Sequence, residues 1–307
     1  AELAAQSPAI DWRVSCGNMA AALPLWVLDD ESFTPLLDED RNWWLQLDNT
    51  NTGITTTARM RFGHEQKPIE ARIPGVEGAY PGIDLFVQQP AGRHTGRLLP
   101  TGLPRQTIGG VEVSCIDAAV PMVLMRASDF GKTARESPSA LEKDRVFMDA
   151  LRKVWVAAAM ECGFRRADGD LCSVDDIARS ETVPKVAILG ESAESGNIAA
   201  RYFTPQKAHP SMAMSGACAI SVACLTPGTI AQQMVRGLSA RKRRCTVTIE
   251  IPDGALQTVI YLQPSGAGSA IESVGYRRNA QLLMKGQVPI YHPSSRLERW
   301  LASRAWL

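Results

Sequence analysis

The sequence predicts an α+β protein with two domains, and three observations support this prediction. The chain has 307 residues, enough for two domains that each bury a core. Runs of β-branched and aromatic residues alternate with Gly/Pro turns, which is typical of antiparallel sheets. Two stretches of small apolar residues and one amphipathic stretch have the spacing of helices.

The first half of the chain is predicted to be mainly strands. A helix rich in small residues begins at SCGNMAAAL (15–23), and β-type runs follow it. These runs are WWLQLDNT, TARMRF, KPIEARI and VEVSCIDA. The turns between them contain the Gly/Pro-rich segments PGVEGAYPG and LLPTGLP.

A long amphipathic helix is predicted over residues 136–163. Ser137 can cap it, Pro138 suits its first turn, and Gly163 is expected to end it. Apolar residues recur at helical spacing along this segment: Leu141, Phe147, Leu151, Val154, Trp155 and Ala158.

The remainder of the chain alternates between the two kinds of element. Strands are predicted at VPKVAIL, TVTIEI and QTVIYLQ. A second helix of small residues is expected at SGACAISVACL, where Pro227 and Gly228 stop it. The pattern closes with a short helix over residues 278–285 and the extended segment QVPIYHP.

Composition excludes several classes of function. With 33 basic and 32 acidic residues, net charge gives no reason to expect nucleic acid or an acidic membrane as a partner. No apolar run approaches the roughly 18 residues of a membrane helix, so we expect a soluble, cytoplasmic protein. The seven cysteines include no C-x-x-C pair, and the four histidines lack the spacing of metal ligands. We therefore expect neither a disulfide framework nor a bound metal.

Two segments about 200 residues apart share one pattern, a small polar residue and a glycine followed by small apolar residues. They are 15–22 and 215–221. This similarity suggests an internal duplication in which two helix N-termini face a common cleft. Free amides at helix N-termini bind anions, and glycine lets a ligand approach the backbone, so two such termini could bind two carboxylates.

Five residues near these helices are candidates for chemistry, and each has a plainer alternative. Cys16 is either a proton-transfer group or a small buried residue. Asn18 either contacts substrate or bonds to the helix start, and Ser215 is an N-cap in either case. Lys185 lies in an apolar strand, where it is a base, a carboxylate partner or a lysine reaching solvent from a strand end. His209 is either a loop residue or a catalyst, since it lies close to the second helix start.

Seven segments of the chain together resemble the PrpF family, which includes aconitate isomerases and 4-oxalomesaconate tautomerases. The segments cover almost the whole chain and occur in the order of the family. They are SCGNMAAAL (15–23), NTNTG (49–53), TGRLLPTG (95–102), IDAAVPMVLMRASDFG (116–131), VPKVAIL (183–189), HPSMAMSGACAISVACLTP (209–227) and GYRRNAQLLMKGQVPIY (275–291).

The resemblance implies the diaminopimelate-epimerase-like fold. In that fold two pseudo-symmetric lobes each wrap a curved, mostly antiparallel sheet around a central helix, and substrate binds between the lobes. We expect the lobes to divide into residues 1–109 and 110–307, with the last segment able to return to the first lobe. The chain opens at Ala1, and we expect its first lobe to be N-terminally incomplete.

The implied activity is a cofactor-free shift of a proton along a small unsaturated or oxo polycarboxylate such as aconitate. Cys16 matches the family's cysteine that takes part in proton transfer. The substrate-binding positions implied by the match are Ser15, Gly17, Asn18, Asn51, Thr52, His209, Ser215, Gly216 and Ala217. The partner is a small polycarboxylate, and a homodimer is one option for the assembly.

Two departures from the family leave alternatives open. The family's catalytic lysine lies in a T-S-K motif some three dozen residues before the cysteine, ahead of the first residue here; Lys185 is then a candidate replacement. Val120 stands where the family usually has asparagine near the cleft. A non-catalytic binding protein of the same fold and an isomerase of natural-product biosynthesis are the alternatives to a polycarboxylate isomerase.

Overall fold

A computed structural model describes residues 2–3, 10–12, 14–166, 168–194, 196–238, 243–265, 268–286 and 289–303. Its strands are β1 (Glu2–Leu3), β2 (Ile10–Asp11), β3 (Asn42–Asn49), β4 (Ile54–Arg61), β5 (Glu70–Ala71), β6 (Tyr80–Gln88), β7 (Gln106–Ile108), β8 (Val111–Ala118), β9 (Val120–Arg126), β10 (Lys185–Gly190), β11 (Ile198–Thr204), β12 (Lys207–Ala208), β13 (Arg244–Ile251), β14 (Gly254–Ser265) and β15 (Gly268–Asn279). Its helices are α1 (Gly17–Leu28), α2 (Pro138–Lys143), α3 (Arg145–Glu161), α4 (Val174–Arg179), α5 (Met214–Leu225), α6 (Ile230–Met234) and α7 (Ser295–Ala302), with one 3₁₀ turn at Ala127–Phe130.

One large mixed sheet organises the molecule. Its strand order is β3-β4-β6-β15-β14-β13-β11-β10-β9-β8-β7, and β5 and β12 pair at its side. Neighbouring strands are antiparallel except for the pairs β9–β10 and β11–β13. The α+β class is confirmed. Strand β15 lies between β6 and β14, so a late segment of the chain pairs with an early one; the division of the lobes at residue 109 stays a prediction.

The two helices of small residues lie on one face of this sheet. Helix α1 packs on β4, β6 and β15, and helix α5 packs on β8, β9, β13, β14 and β15. Their residues share one apolar core. Helix α3 covers the other face of β8 and β9, over a separate core that contains Phe147, Leu151 and Trp155. Strand β15 therefore contacts both small-residue helices, which brings the two similar segments onto the same part of the sheet.

Most predicted elements are present, and two predictions are wrong. The helix predicted over 136–163 is two helices, because Asp144 leaves the helical conformation (φ −80°, ψ 88°) and accepts a 3.0 Å hydrogen bond from the Phe147 amide to cap α3. Ser137 does cap the first of them, accepting from the Ala140 amide. The short helix predicted over 278–285 is absent. Arg278 and Asn279 are instead the last residues of β15, because they pair with Ile83 and Gly82 of β6.

Glu250 holds the loop that joins β10 to β11, and its ionisation is expected to govern stability in acid. Burial opposes its ionisation, but bonds from the Ser192 hydroxyl and the amides of Ala193, Glu194 and Gly196 prevail and lower the pKa of Glu250 from 4.5 to about 2. A lowered folded-state pKa stabilises the fold above about pH 4.5, and this contribution is lost as pH falls toward 2.

We expect Glu250→Gln to flatten the decline in unfolding free energy between pH 4.5 and pH 2. Urea denaturation at a series of pH values, followed by circular dichroism, measures this slope. Glu272→Gln is the control, since the structure records no side-chain hydrogen bond of Glu272. An unchanged slope in Glu250→Gln would contradict the prediction.

Across the described residues, no helix combines the length and apolar character needed to cross a membrane. Among the same residues, no three His, Cys, Asp or Glu side chains are grouped as ligands of a metal ion.

Candidate active site

The N-terminus of α1 carries amide groups that the side chain of its N-cap residue does not bond. Cys16 is the N-cap residue in an extended conformation, and the first turn contains no acidic residue. The first helical bond runs from the Ala20 amide to the Cys16 carbonyl at 3.0 Å. Within the described chain, the amides of Gly17, Asn18 and Met19 have no acceptor. Because Cys16 is half-buried and Asn18 is exposed, this helix end is accessible to an anion.

The loop after β3 lies against this helix end through Asn49. The side-chain amide of Asn49 donates to the Ser15 hydroxyl at 2.8 Å. Its carbonyl oxygen accepts from the amides of Asn51 at 3.0 Å and Thr52 at 3.2 Å. The predicted residues Ser15, Asn51 and Thr52 are therefore brought together beside Cys16. Asn49 is not among the site residues predicted from the sequence, although the capacity of asparagine to bond to amides two residues on is a signal for it.

The N-terminus of α5 is also uncapped, but it is more deeply buried. Ala213 is the N-cap without a side-chain bond, and the first turn has no acidic residue. The prediction that Ser215 is the N-cap is wrong, because α5 begins one residue earlier, at Met214. Gly216 and Ala217 are buried and Ser215 is half-buried. A Cβ added at Gly216 would lie 2.4 Å from a ring carbon of Tyr202, so glycine is required here for close packing. The glycine of the second segment thus brings the helix against the sheet.

His209 lies next to the same helix start. Its ring packs edge-on against Tyr202, with 5.5 Å between ring centroids, and Tyr202 in turn contacts Gly216. The Nδ1 atom of His209 accepts from the Ser211 amide at 3.0 Å. The ring of Tyr202 therefore lies between His209 and the start of α5.

Strand β15 connects the two helices through Tyr276 and Arg278. The hydroxyl of Tyr276 lies 2.5 Å from the position that a Cβ on Gly17 would take, so Gly17 makes room for it. Burial is the main cause that raises the pKa of Tyr276, and negative charge on Cys218 raises it further. Burial also raises the pKa of the Cys218 thiol. The effect of Cys16 on Tyr276 shows that both segments lie within electrostatic range of this strand.

Arg278 shares this environment, and it is not among the site residues predicted from the sequence. Burial lowers the pKa of Arg278, while the neighbouring Tyr276, Cys16 and Cys218 oppose that shift. Its Nε atom is buried and has no hydrogen-bond partner among the residues that the structure describes. Arg278 is therefore a cation within electrostatic range of Cys16 in the first segment and Cys218 in the second. That the two helix N-termini face a common cleft stays a prediction.

Lys185 occupies a different position from the cluster around Cys16. It is 1% exposed, begins β10, and pairs in register with Met122 of β9. Strand alternation places Lys185 on the same face as Ala187 and Leu189, which belong to the core shared with α5. Met122 contacts the site of Gly216, so Lys185 lies one strand away from a residue at the α5 terminus. Its catalytic role stays a prediction.

The sequence profile described as "PrpF protein" matches residues 1–291. The chain belongs to the PrpF family. Among PrpF relatives, the 4-oxalomesaconate tautomerase of Pseudomonas putida is 28% identical over 296 residues, which are 94% of this chain and 75% of that protein. The (4E)-oxalomesaconate Delta-isomerase of a Novosphingobium species is 30% identical over 275 residues, covering 89% of this chain and 72% of the relative.

A solved structure shows the same fold. The crystal structure of a methylitaconate-delta-isomerase superposes with a TM-score of 0.72 at 20% identity, over 90% of this PrpF chain and 73% of that chain. The predicted diaminopimelate-epimerase-like fold is therefore confirmed. The relatives are isomerases and tautomerases named for small unsaturated carboxylates.

Proposed function

We propose that this PrpF protein is a cofactor-independent isomerase that shifts a proton, and with it a double bond, in a small unsaturated or oxo di- or tricarboxylate. One observation carries the proposal: a half-buried thiol, Cys16, stands at the uncapped N-terminus of α1 and within electrostatic range of Arg278. Such a terminus binds a carboxylate. The names of the relatives support the same substrate class.

The proposed reaction is a 1,3-proton shift. A base removes a proton from the carbon beside a carboxylate or carbonyl, and the electron pair delocalises into that group. An acid then returns a proton at the far carbon of the allylic system, so that the double bond moves by one position. The amides at the start of α1 would stabilise the charge that develops on the substrate carboxylate.

Cys16 is the proposed group for one of these two proton transfers. As a thiolate it would remove the proton, and as a thiol it would return one. Lys185 is the candidate for the other transfer. Its position on the α5 face of the sheet, in register with Met122, supports this assignment.

The proposal is tested by incubating the purified chain with 3-methylitaconate, 2-methylaconitate and 4-oxalomesaconate in D₂O. We expect ¹H NMR to show migration of the double bond in at least one acid, with deuterium entering at the carbon that receives the proton. Dialysis against EDTA before the assay should leave the rate unchanged.

Unchanged spectra would contradict catalysis. If the acids then still raised the melting temperature, the chain would be a carboxylate-binding protein of the same fold, since only a ligand of the native state stabilises it.

A further inference from the structure

Two adjacent arginines at the end of β15 differ in their partners. Arg277 bonds to Asp84 with its Nε at 2.7 Å and a terminal nitrogen at 3.0 Å, and Arg59 joins the same carboxylate at 2.6 Å. Arg278 faces the opposite side of the sheet, because successive residues of a strand alternate. Among the described residues, no carboxylate forms an ion pair with Arg278, and its buried Nε has no acceptor.

An arginine in this condition is expected to have an anion as its partner. Guanidinium stays charged even when burial lowers its pKa, and a buried charge without a counter-ion is costly. The titratable side chains that oppose the lowering of the Arg278 pKa are one hydroxyl and two thiols, of Tyr276, Cys16 and Cys218. None of them is a strong acid, so the protein itself does not supply the missing charge from these neighbours.

The position of Arg278 also relates it to the proton-transfer group. Tyr276 precedes it by two residues on the same face of β15, is 7% exposed, and directs its hydroxyl at Gly17. Gly17 and Cys16 form the start of α1. A ligand held by Arg278 would therefore lie beside the free amides of α1, which are a second and separate set of donors. Two donor sets at neighbouring positions suit a molecule with two acidic groups.

We propose that Arg278 binds one carboxylate of the substrate while the α1 amides receive another, so that Arg278 selects dicarboxylates and orients their reactive carbon toward Cys16. This inference rests on the proposed function. The planar guanidinium can form two parallel bonds to a carboxylate, which fixes orientation as well as position. Arg278 is thus a substrate-binding residue that determines specificity.

The test compares 3-methylitaconate with its two monomethyl esters in wild type, Arg278→Gln and Arg278→Lys. Wild type is expected to turn over the diacid. Its kcat/KM should be about 100-fold lower for the ester that blocks the carboxylate bound by Arg278. In Arg278→Gln, kcat/KM for the diacid is expected to fall about 100-fold. The kcat/KM for the same ester should be little lower than that for the diacid, because the interaction with the arginine is already absent.

Arg278→Lys keeps the charge without the planar fork and is expected to restore part of the preference for the diacid. Arg277→Gln is the matched control on the same strand. Its ratio of kcat/KM for the diacid to kcat/KM for the ester should equal that of wild type, because Arg277 faces Asp84.

Calorimetric titration with the same diacid and esters separates this inference from the proposed function. If wild type binds the diacid without isomerising it, and Arg278→Gln binds about 100-fold more weakly, then Arg278 holds a carboxylate although the chain is no isomerase. If Arg278→Gln folds and retains the wild-type preference for the diacid, the inference is overturned. It is equally overturned if wild type binds none of 3-methylitaconate, 2-methylaconitate and 4-oxalomesaconate.

Discussion

Cys16→Ala is expected to lower kcat by about 10²- to 10⁴-fold for the acid that wild type isomerises, with a much smaller change in KM. The alanine variant keeps the amides of α1 that would bind the carboxylate, since backbone groups are unaffected. It removes the group proposed to move a proton. The rate of double-bond migration, measured by ¹H NMR at saturating substrate, gives kcat directly.

Two further variants make this measurement specific. Cys16→Ser replaces the thiol by a hydroxyl of similar size that is a much weaker acid, and we expect this variant to be nearly as slow as Cys16→Ala. Cys172→Ala removes another half-buried cysteine, which lies in the segment between α3 and α4, and should retain the wild-type rate. Full activity in Cys16→Ala would remove Cys16 from the mechanism.

Asp117→Ala is expected to lower the free energy of unfolding by about 3 kcal/mol. The fully buried carboxylate of Asp117 accepts from the amides of His94 at 2.8 Å and Thr95 at 2.7 Å, and from the Thr95 hydroxyl at 3.0 Å. It also contacts the His94 ring nitrogen at 3.2 Å. Alanine would leave several buried donors without their acceptor, and it would release the loop between β6 and β7.

Urea denaturation at neutral pH measures this loss. Asp117→Asn retains one acceptor oxygen and should lose less than Asp117→Ala. Asp129→Ala, at an exposed position, should stay within about 0.5 kcal/mol of wild type. An Asp117→Ala variant as stable as wild type would show that water replaces the carboxylate at this site.

Strand and helix patterns were recoverable from local sequence where the local pattern and the tertiary pairing agree. The run VEVSCIDA is strand β8 over its whole length, and the small-residue segments are α1 and α5. The sequence predicts a short helix over residues 278–285, because the composition of these residues is acceptable for a helix. Pairing with β6 extends the strand through Asn279 instead, and such long-range pairing has no local signal.

The same limit explains which site residues were found. Cys16, Gly17 and Asn18 were recognisable because a helix start with glycine and small residues binds anions wherever it occurs. Asn49 and Arg278 gain their roles only from elements distant in the chain. Asn49 reaches Ser15 across 34 residues, and Arg278 approaches Cys16 because β15 inserts between β6 and β14.

By itself, the sequence determined the α+β class, the PrpF resemblance and the two small-residue helix starts, because periodicity, glycine placement and motif order are local properties. Only the tertiary structure decided that both helices pack on β15, and that Arg278, which has no ionic partner among the described residues, lies within electrostatic range of Cys16 and Cys218. The physical reason is strand alternation: Arg277 and Arg278 are neighbours in sequence, yet pairing in the sheet directs one toward Asp84 and the other toward Cys16.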